Sequence, residues 1–181
     1  MKKSTLLAAL FLAVTLIFTL DAQAQKFAKM DVSPLDASTY PSSNRISDKL
    51  IKIIYSRPQL KGRSLSKLAP NGRVWRTGAN EAAEITFYTD VKMGGKPIKA
   101  GTYTFYTIPG DDEWTAIINS DLNVWGAYSY NEANDVARLQ VSATSDDDSV
   151  EAFSIVFDEV DNVIQMCLGW GNTRVKVPFT K

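Results

Sequence analysis

The feature that most constrains what this chain can fold into is the alternation of its last third. Phe153, Ile155 and Phe157 fall on one face of an extended segment. Thr173, Val175, Val177 and Phe179 likewise share a face opposite Arg174 and Lys176. Successive side chains of a strand point to opposite sides, so such a pattern builds a sheet with one buried face. A helix would need apolar residues three and four apart, and no window offers a convincing set. A turn or two near residues 64–68 is the best helical candidate.

The same reading extends upstream. Short β-branched or aromatic runs occupy residues 50–56, 84–89, 91–93, 102–108, 114–119, 136–141 and 163–170. Turn residues separate them: Gly94-Gly95, Pro109-Gly110, Asp161-Asn162 and Gly171-Asn172. Asp146-Asp147-Asp148 lacks the Gly and late Glu of a calcium loop and reads as a solvated turn. The expectation is an all-β fold, an antiparallel β-sandwich or open barrel of roughly 8–10 short strands with a long loop around residues 57–80. Residues 25–47 are polar, contain Pro34 and Pro41, and are expected to form an extended leader before a single all-β domain over residues 48–181.

The first 24 residues are set apart. Lys2 and Lys3 precede an apolar run over residues 6–20, and Ala22-Gln23-Ala24 closes it with the small-x-small pattern of a signal-peptidase site. The run is shorter than the ~20 apolar residues of a spanning helix. An export signal cleaved after Ala24 is expected, with a periplasmic or secreted product and no membrane span after its removal. Taking residues 1–24 from the 181 leaves 157 residues, enough for one domain with a real core. The 20 basic and 20 acidic residues lose two and one to the signal, so the mature chain is nearly neutral. That balance gives no basic surface for nucleic acid.

The chain contains no His and one Cys, Cys167. Ser-His-Asp and Cys-His nucleophile systems are therefore excluded, as are His- or Cys-ligated metal sites. An intramolecular disulfide is impossible, so packing alone must hold the domain. Cys167 sits in an apolar run and reads as an inert, buried thiol. No metal site and no cofactor are expected.

Residues 55–81 break the strand-and-turn pattern. Arg57, Lys61, Arg63, Arg73, Trp75, Arg76, Asn80 and Glu81 lie among Gly, Pro and Asn residues. Guanidinium groups grip carboxylates or phosphates through paired hydrogen bonds and stack on rings. Beside Trp75 they could form a pocket for an anionic or sugar-like ligand. The same residues could equally pin a long loop, with Arg on carbonyls and a buried Trp. Trp125 and Tyr128, in a second aromatic cluster over residues 125–130, could line a carbohydrate site or plug the open end of the sandwich. The candidate ligand-binding set is Arg57, Arg63, Arg73, Trp75, Arg76, Asn80, Glu81, Trp125 and Tyr128.

Several blocks occur in order: Tyr55-Ser56-Arg57-Pro58, Lys61-Gly62-Arg63, residues 74–82 (Val-Trp-Arg-Thr-Gly-Ala-Asn-Glu-Ala), Ala100-Gly101-Thr102-Tyr103, Thr107-Ile108-Pro109-Gly110 and Trp125-Gly126-Ala127-Tyr128. Together they resemble the domain-of-unknown-function family numbered 2911, of the exported Bacteroidota type, from about residue 30 to the C-terminus. The resemblance implies an exported, all-β single domain with no established activity. An asparagine synthetase name carried by some members finds no support, since no phosphate loop is present and Cys167 is the only Cys.

Three functions remain open at this point. The first is an exported β-sandwich module that binds a small polar or anionic, carbohydrate-like ligand at the Arg/Trp/Asn cluster. The second is a carboxylate-dependent hydrolase using Glu81, and the third a structural or interaction domain of the cell envelope.

Overall fold

The computed structural model describes residues 25–181. The expected export signal lies outside the described residues. Nine strands carry the fold: β1 (Leu35–Tyr40), β2 (Ile51–Ser56), β3 (Ala83–Phe87), β4 (Val91–Met93), β5 (Lys96–Ile98), β6 (Gly101–Ile108), β7 (Glu113–Asn119), β8 (Asp135–Val160) and β9 (Val163–Thr180). Among the described residues, a short α-helix, α1 (Leu65–Leu68), falls in the long loop, and a 3-10 turn covers Glu132–Asn134. The strands form one antiparallel sheet in the order β1-β2-β3-β6-β7-β8-β9-β4-β5, with edges at β1 and β5. The fold is thus all-β and antiparallel, and it is not closed into a barrel.

Two strands are much longer than the sequence suggested. The runs at residues 136–141 and 153–157 belong to one strand, β8, of 26 residues. Asp146–Asp148 is not a turn between them. It lies where the β8–β9 register slips, between Ser145 and Val150 and again between Val150 and Ser154. Bulges of this kind bend a strand without ending it. Gly171, at φ +55°, sits opposite Val150, so the expected turn at Gly171-Asn172 is a kink inside the 18-residue β9. Asp161 and Asn162 do form a turn: both have positive φ (52° and 62°), and Val160 pairs with Val163. That is the geometry a two-residue hairpin demands.

The bend gives the molecule its two layers. The first part of β8 pairs with β7, from Glu113↔Ser142 to Asn119↔Asp135. The remainder pairs with β9, from Ala143↔Val175 to Val160↔Val163. The β8–β9 half folds back over β1, β2 and β3. Ring contacts tie the layers: Tyr40 to Phe157 at 6.5 Å, Tyr55 to Phe153 at 5.6 Å and Phe87 to Phe179 at 5.4 Å. Ile51, Ile53, Ile85, Met166, Leu168, Val175 and Val177 fill the space between and are buried. Each such side chain contributes about 1.5–3 kcal/mol relative to exposure.

A smaller core lies on the opposite face of the first layer. Tyr106 follows core-facing Phe105 in β6 and so points outward, where it packs with buried Ala82 and Ile117. Val124, Ala127 and Tyr130, from the segment between β7 and β8, cover them. This second core holds the 120–134 segment against the sheet, and that segment forms one wall of the candidate site.

The leader stretch read from sequence includes β1, which pairs with β2 from Leu35↔Ser56 to Tyr40↔Ile51. Among the described residues, no helix is long and apolar enough to cross a membrane.

Candidate functional site

The long loop is anchored from both ends by side chains that the sequence singled out. Arg57 follows β2 and reaches across to the second layer. Its Nε donates to the Phe153 carbonyl at 3.0 Å, Nη2 to Ser154 Oγ at 2.6 Å and Nη1 to Asp36 Oδ2 at 3.1 Å. Tyr55 does the same from the core side, its hydroxyl accepting the Ile155 N–H at 2.8 Å. Arg63 closes a local turn, donating to the carbonyls of Leu60 at 2.9 Å and Gln59 at 2.7 Å. Both guanidinium groups end on the protein's own acceptors. Arg73 is exposed.

Trp75 is placed in the core rather than on the surface, at 5 % exposure. It stacks on Trp170 at 5.4 Å and meets Phe153 and Trp114 edge-on at 5.0 and 6.1 Å. Its backbone pairs with Thr107, so the segment continues the line of β3 along β6. Alternation then sends Arg76 to the outer face. Arg76 is half-buried, and its Nε has no hydrogen-bond partner among the described residues. Thr77, fully buried, locks the next turn through its hydroxyl to Thr107 Oγ1 at 3.1 Å. Gly78 lies so close to β2 that a Cβ there would stand 3.0 Å from the Ser56 carbonyl oxygen. Asn80 adopts φ +61°, which Asn tolerates better than most residues, and its carbonyl accepts the Gly126 N–H at 3.0 Å.

This turn meets the second aromatic cluster. Glu81 and Trp125 form an antiparallel backbone bridge, and the Ala82 N–H donates to the Val124 carbonyl at 2.9 Å. Of the cluster, Tyr130 is the ring that packs inward, edge-on to Tyr106 at 5.3 Å. Trp125 and Tyr128 remain 60 % and 87 % exposed. The sequence left open whether these rings plug the sandwich or face a ligand. The structure divides them between the two.

Beside the Glu81–Trp125 bridge opens a groove of about 360 Å³, lined by Leu35, Ile54, Ser56, Glu81, Ala82, Glu84 and Asn123 together with Tyr55. β1 and β2 supply the apolar wall, β3 supplies Glu84, and the two turns supply Glu81 and Asn123. One Glu84 oxygen accepts the Asn123 N–H at 2.9 Å, which ties the 120–126 turn to the sheet. Of the nine residues proposed from sequence, only Glu81 lines this groove, with Trp125 bridged to it and Asn80 bonded to Gly126. Arg57, Arg63, Arg73 and Arg76 are not among the lining residues. Leu35, Ile54, Glu84 and Asn123 were missed. A signal existed for Ile54, an apolar residue on the outward register of an otherwise alternating β2.

The turn behind the groove is held by a polar network. The Tyr130 hydroxyl donates to Asp135 Oδ2 at 2.6 Å, and Arg138 Nη1 donates to both, at 2.8 and 2.7 Å. Asn119, fully buried, donates to Asp135 Oδ1 at 2.8 Å and to the Asn131 carbonyl at 3.1 Å. Burial and the Asp135 hydrogen bond push the Tyr130 phenol well above its ordinary range. Burial, with the Asp121 and Asp135 carboxylates nearby, pushes Tyr106 up to about 12. Both phenols stay protonated and act as fixtures of the wall.

Fold and site thus define an all-β domain, a single antiparallel sheet folded on itself, with an open groove on the outer face of one layer. Within that class the chain belongs to the family described as protein of unknown function (DUF2911), which matches residues 36–179. No curated protein and no solved structure matches the chain.

Proposed function

We propose that this chain is an exported binding module that takes a small polar ligand in the groove between β1–β2 and the turns at residues 76–82 and 120–126. One observation carries the reading: an open groove offers carboxylate, amide and apolar surface together, and its Glu81 is bridged through the backbone to Trp125, whose side chain is largely exposed. Ligand sites combine apolar walls with a few polar groups that fix orientation. Exposed rings beside carboxylates suit a hydroxylated ligand, whose apolar face stacks while its hydroxyls donate. The export component is supported by the leader pattern of residues 1–24.

A thermal-shift screen over sugars, nucleotides, organic acids and amines tests the reading. At least one class is expected to raise the unfolding temperature of the wild type and to lose that effect in Trp125→Ala. The unliganded variant should melt close to the wild type, because its ring is exposed. A screen in which nothing shifts, or a shift that survives Trp125→Ala unchanged, counts against the proposal.

A second reading is a hydrolase, favoured by one fact: Glu84 lines the same groove as Glu81. Two carboxylates facing one substrate can divide acid and base roles. Glu81→Gln keeps the shape and removes the carboxylate, so equal turnover of a hydrolysed substrate in both proteins would end this reading.

A further inference from the structure

The groove has a charge sign that the arginine-rich segment does not share. Glu81 and Glu84 are its only charged lining residues, and neither forms a salt bridge among the described residues. The lining beside them is apolar: Ile54 is the cross-strand partner of Glu84, and Leu35 and Ile54 are 65 % and 37 % exposed, although both lie on strands. From the 120–126 turn only the neutral Asn123 lines the groove, its backbone N–H donating to Glu84. None of the four arginines of the loop lines the groove: Arg57 is engaged with Asp36, Phe153 and Ser154, Arg63 with Leu60 and Gln59, and Arg73 and Arg76 are absent from the lining. A ligand complementary to this surface carries positive charge at one end and an apolar body at the other.

We propose that the groove selects small amphiphilic amines, with a protonated amine held by Glu81 and Glu84 and its apolar body against Leu35 and Ile54. Trp125, bridged to Glu81 through the backbone and 60 % exposed, offers a ring face of the kind that attracts cations. Because the groove is open, the ammonium keeps part of its hydration, and the desolvation that opposes burying a charge is reduced. The proposal rests on the groove being the binding site and narrows its ligand class. An anionic ligand, expected from the arginine count, would meet two carboxylates with no lining cation.

Phenethylamine, 2-phenylethanol and 3-phenylpropionate share a ring and differ in head group. Calorimetric titration of each into the protein, with amide NMR shifts at Ile54, Glu84 and Asn123 as the locator, tests the selectivity. At low salt the amine should bind about tenfold more tightly than the alcohol, and the acid more weakly than either. The gap should narrow as salt is added, since exposed charge pairs are screened. It should vanish in the double variant Glu81→Gln/Glu84→Gln. The salt dependence of the wild type stands by itself should that variant fold poorly. Equal binding of amine and alcohol, or preference for the acid, overturns the selectivity while leaving the groove as a site. If none of the three moves those amides, the amine proposal falls, and the wider thermal-shift screen decides the groove reading separately.

Discussion

Arg57 and Trp75 are fasteners between the two layers, and their substitution separates stability from binding. Trp75→Ala removes a buried indole in contact with Trp114, Phe153 and Trp170, and about 3–5 kcal/mol of stability should go with it. Arg57→Ala leaves the Phe153 carbonyl, Ser154 and Asp36 without their donor and should cost about 1–3 kcal/mol. Chemical denaturation measures both. Ligand affinity, read at a temperature where each variant is folded, should stay within about twofold of the wild type. The reason these residues looked like a site is that composition shows a charge but not where it ends. The Phe153 carbonyl that Arg57 meets is 96 positions away in sequence. Glu81 was legible because it stands at the close of the Trp-Arg-Thr-Gly-Ala-Asn-Glu block. Glu84 was not, because a carboxylate on the outward register of a strand is what any solvated sheet face displays.

At the level of elements, strand identity was well encoded where alternation was strict. The runs at residues 50–56, 102–108 and 114–119 correspond to β2, β6 and β7 within one residue at either end. β1 and β5 escaped notice because Leu35–Tyr40 is mostly polar and Lys96–Ile98 is short and contains a proline. Both are edge strands, where proline and charge discourage pairing with another chain. The continuity of β8 was hidden by Asp146–Asp148, since three acidic residues suggest a turn until their partners are known. Those partners are Arg174 and Asn172 on β9. Arg174 Nη2 donates to the Asp148 carbonyl, its Nε lies 3.5 Å from Asp146 Oδ2, and Asn172 Nδ2 donates to the Asp146 carbonyl at 2.6 Å. Arg174→Ala should loosen this bulge without melting the sheet. Hydrogen exchange should quicken at residues 145–150 and remain unchanged at 155–158. Uniform acceleration along β8 would show that the bulge and the strand unfold together.

For the whole molecule, a single Cys rules out an intramolecular disulfide, so packing and hydrogen-bonded networks, several of them centred on tyrosine, hold the fold. That has a consequence at alkaline pH. Tyr106 and Tyr40 are pushed up to about 12, Tyr106 chiefly by burial and Tyr40 chiefly by its hydrogen bond to Glu159. A raised folded-state value means that the native state holds its proton where the unfolded chain releases it. The contribution of these phenols is therefore constant below the ordinary tyrosine value of about 10 and is lost as pH rises from there through about 12. Unfolding curves between pH 8 and pH 11.5, on a scale set by these tyrosine values, should show the decline, and Tyr106→Phe should flatten it. An identical slope in that variant would mean that the alkaline loss arises elsewhere.

The proposed ligand enters the Glu81–Glu84–Asn123 groove and not the arginine-rich loop. The most direct test is amide NMR of the protein titrated with whichever compound raises its unfolding temperature most. The predicted result is a set of shifts centred on Ile54, Glu81, Glu84, Asn123 and Trp125, with Lys61, Arg63 and Arg73 unmoved. Shifts centred on Arg57, Arg63 and Arg73, with the groove residues silent, would contradict it.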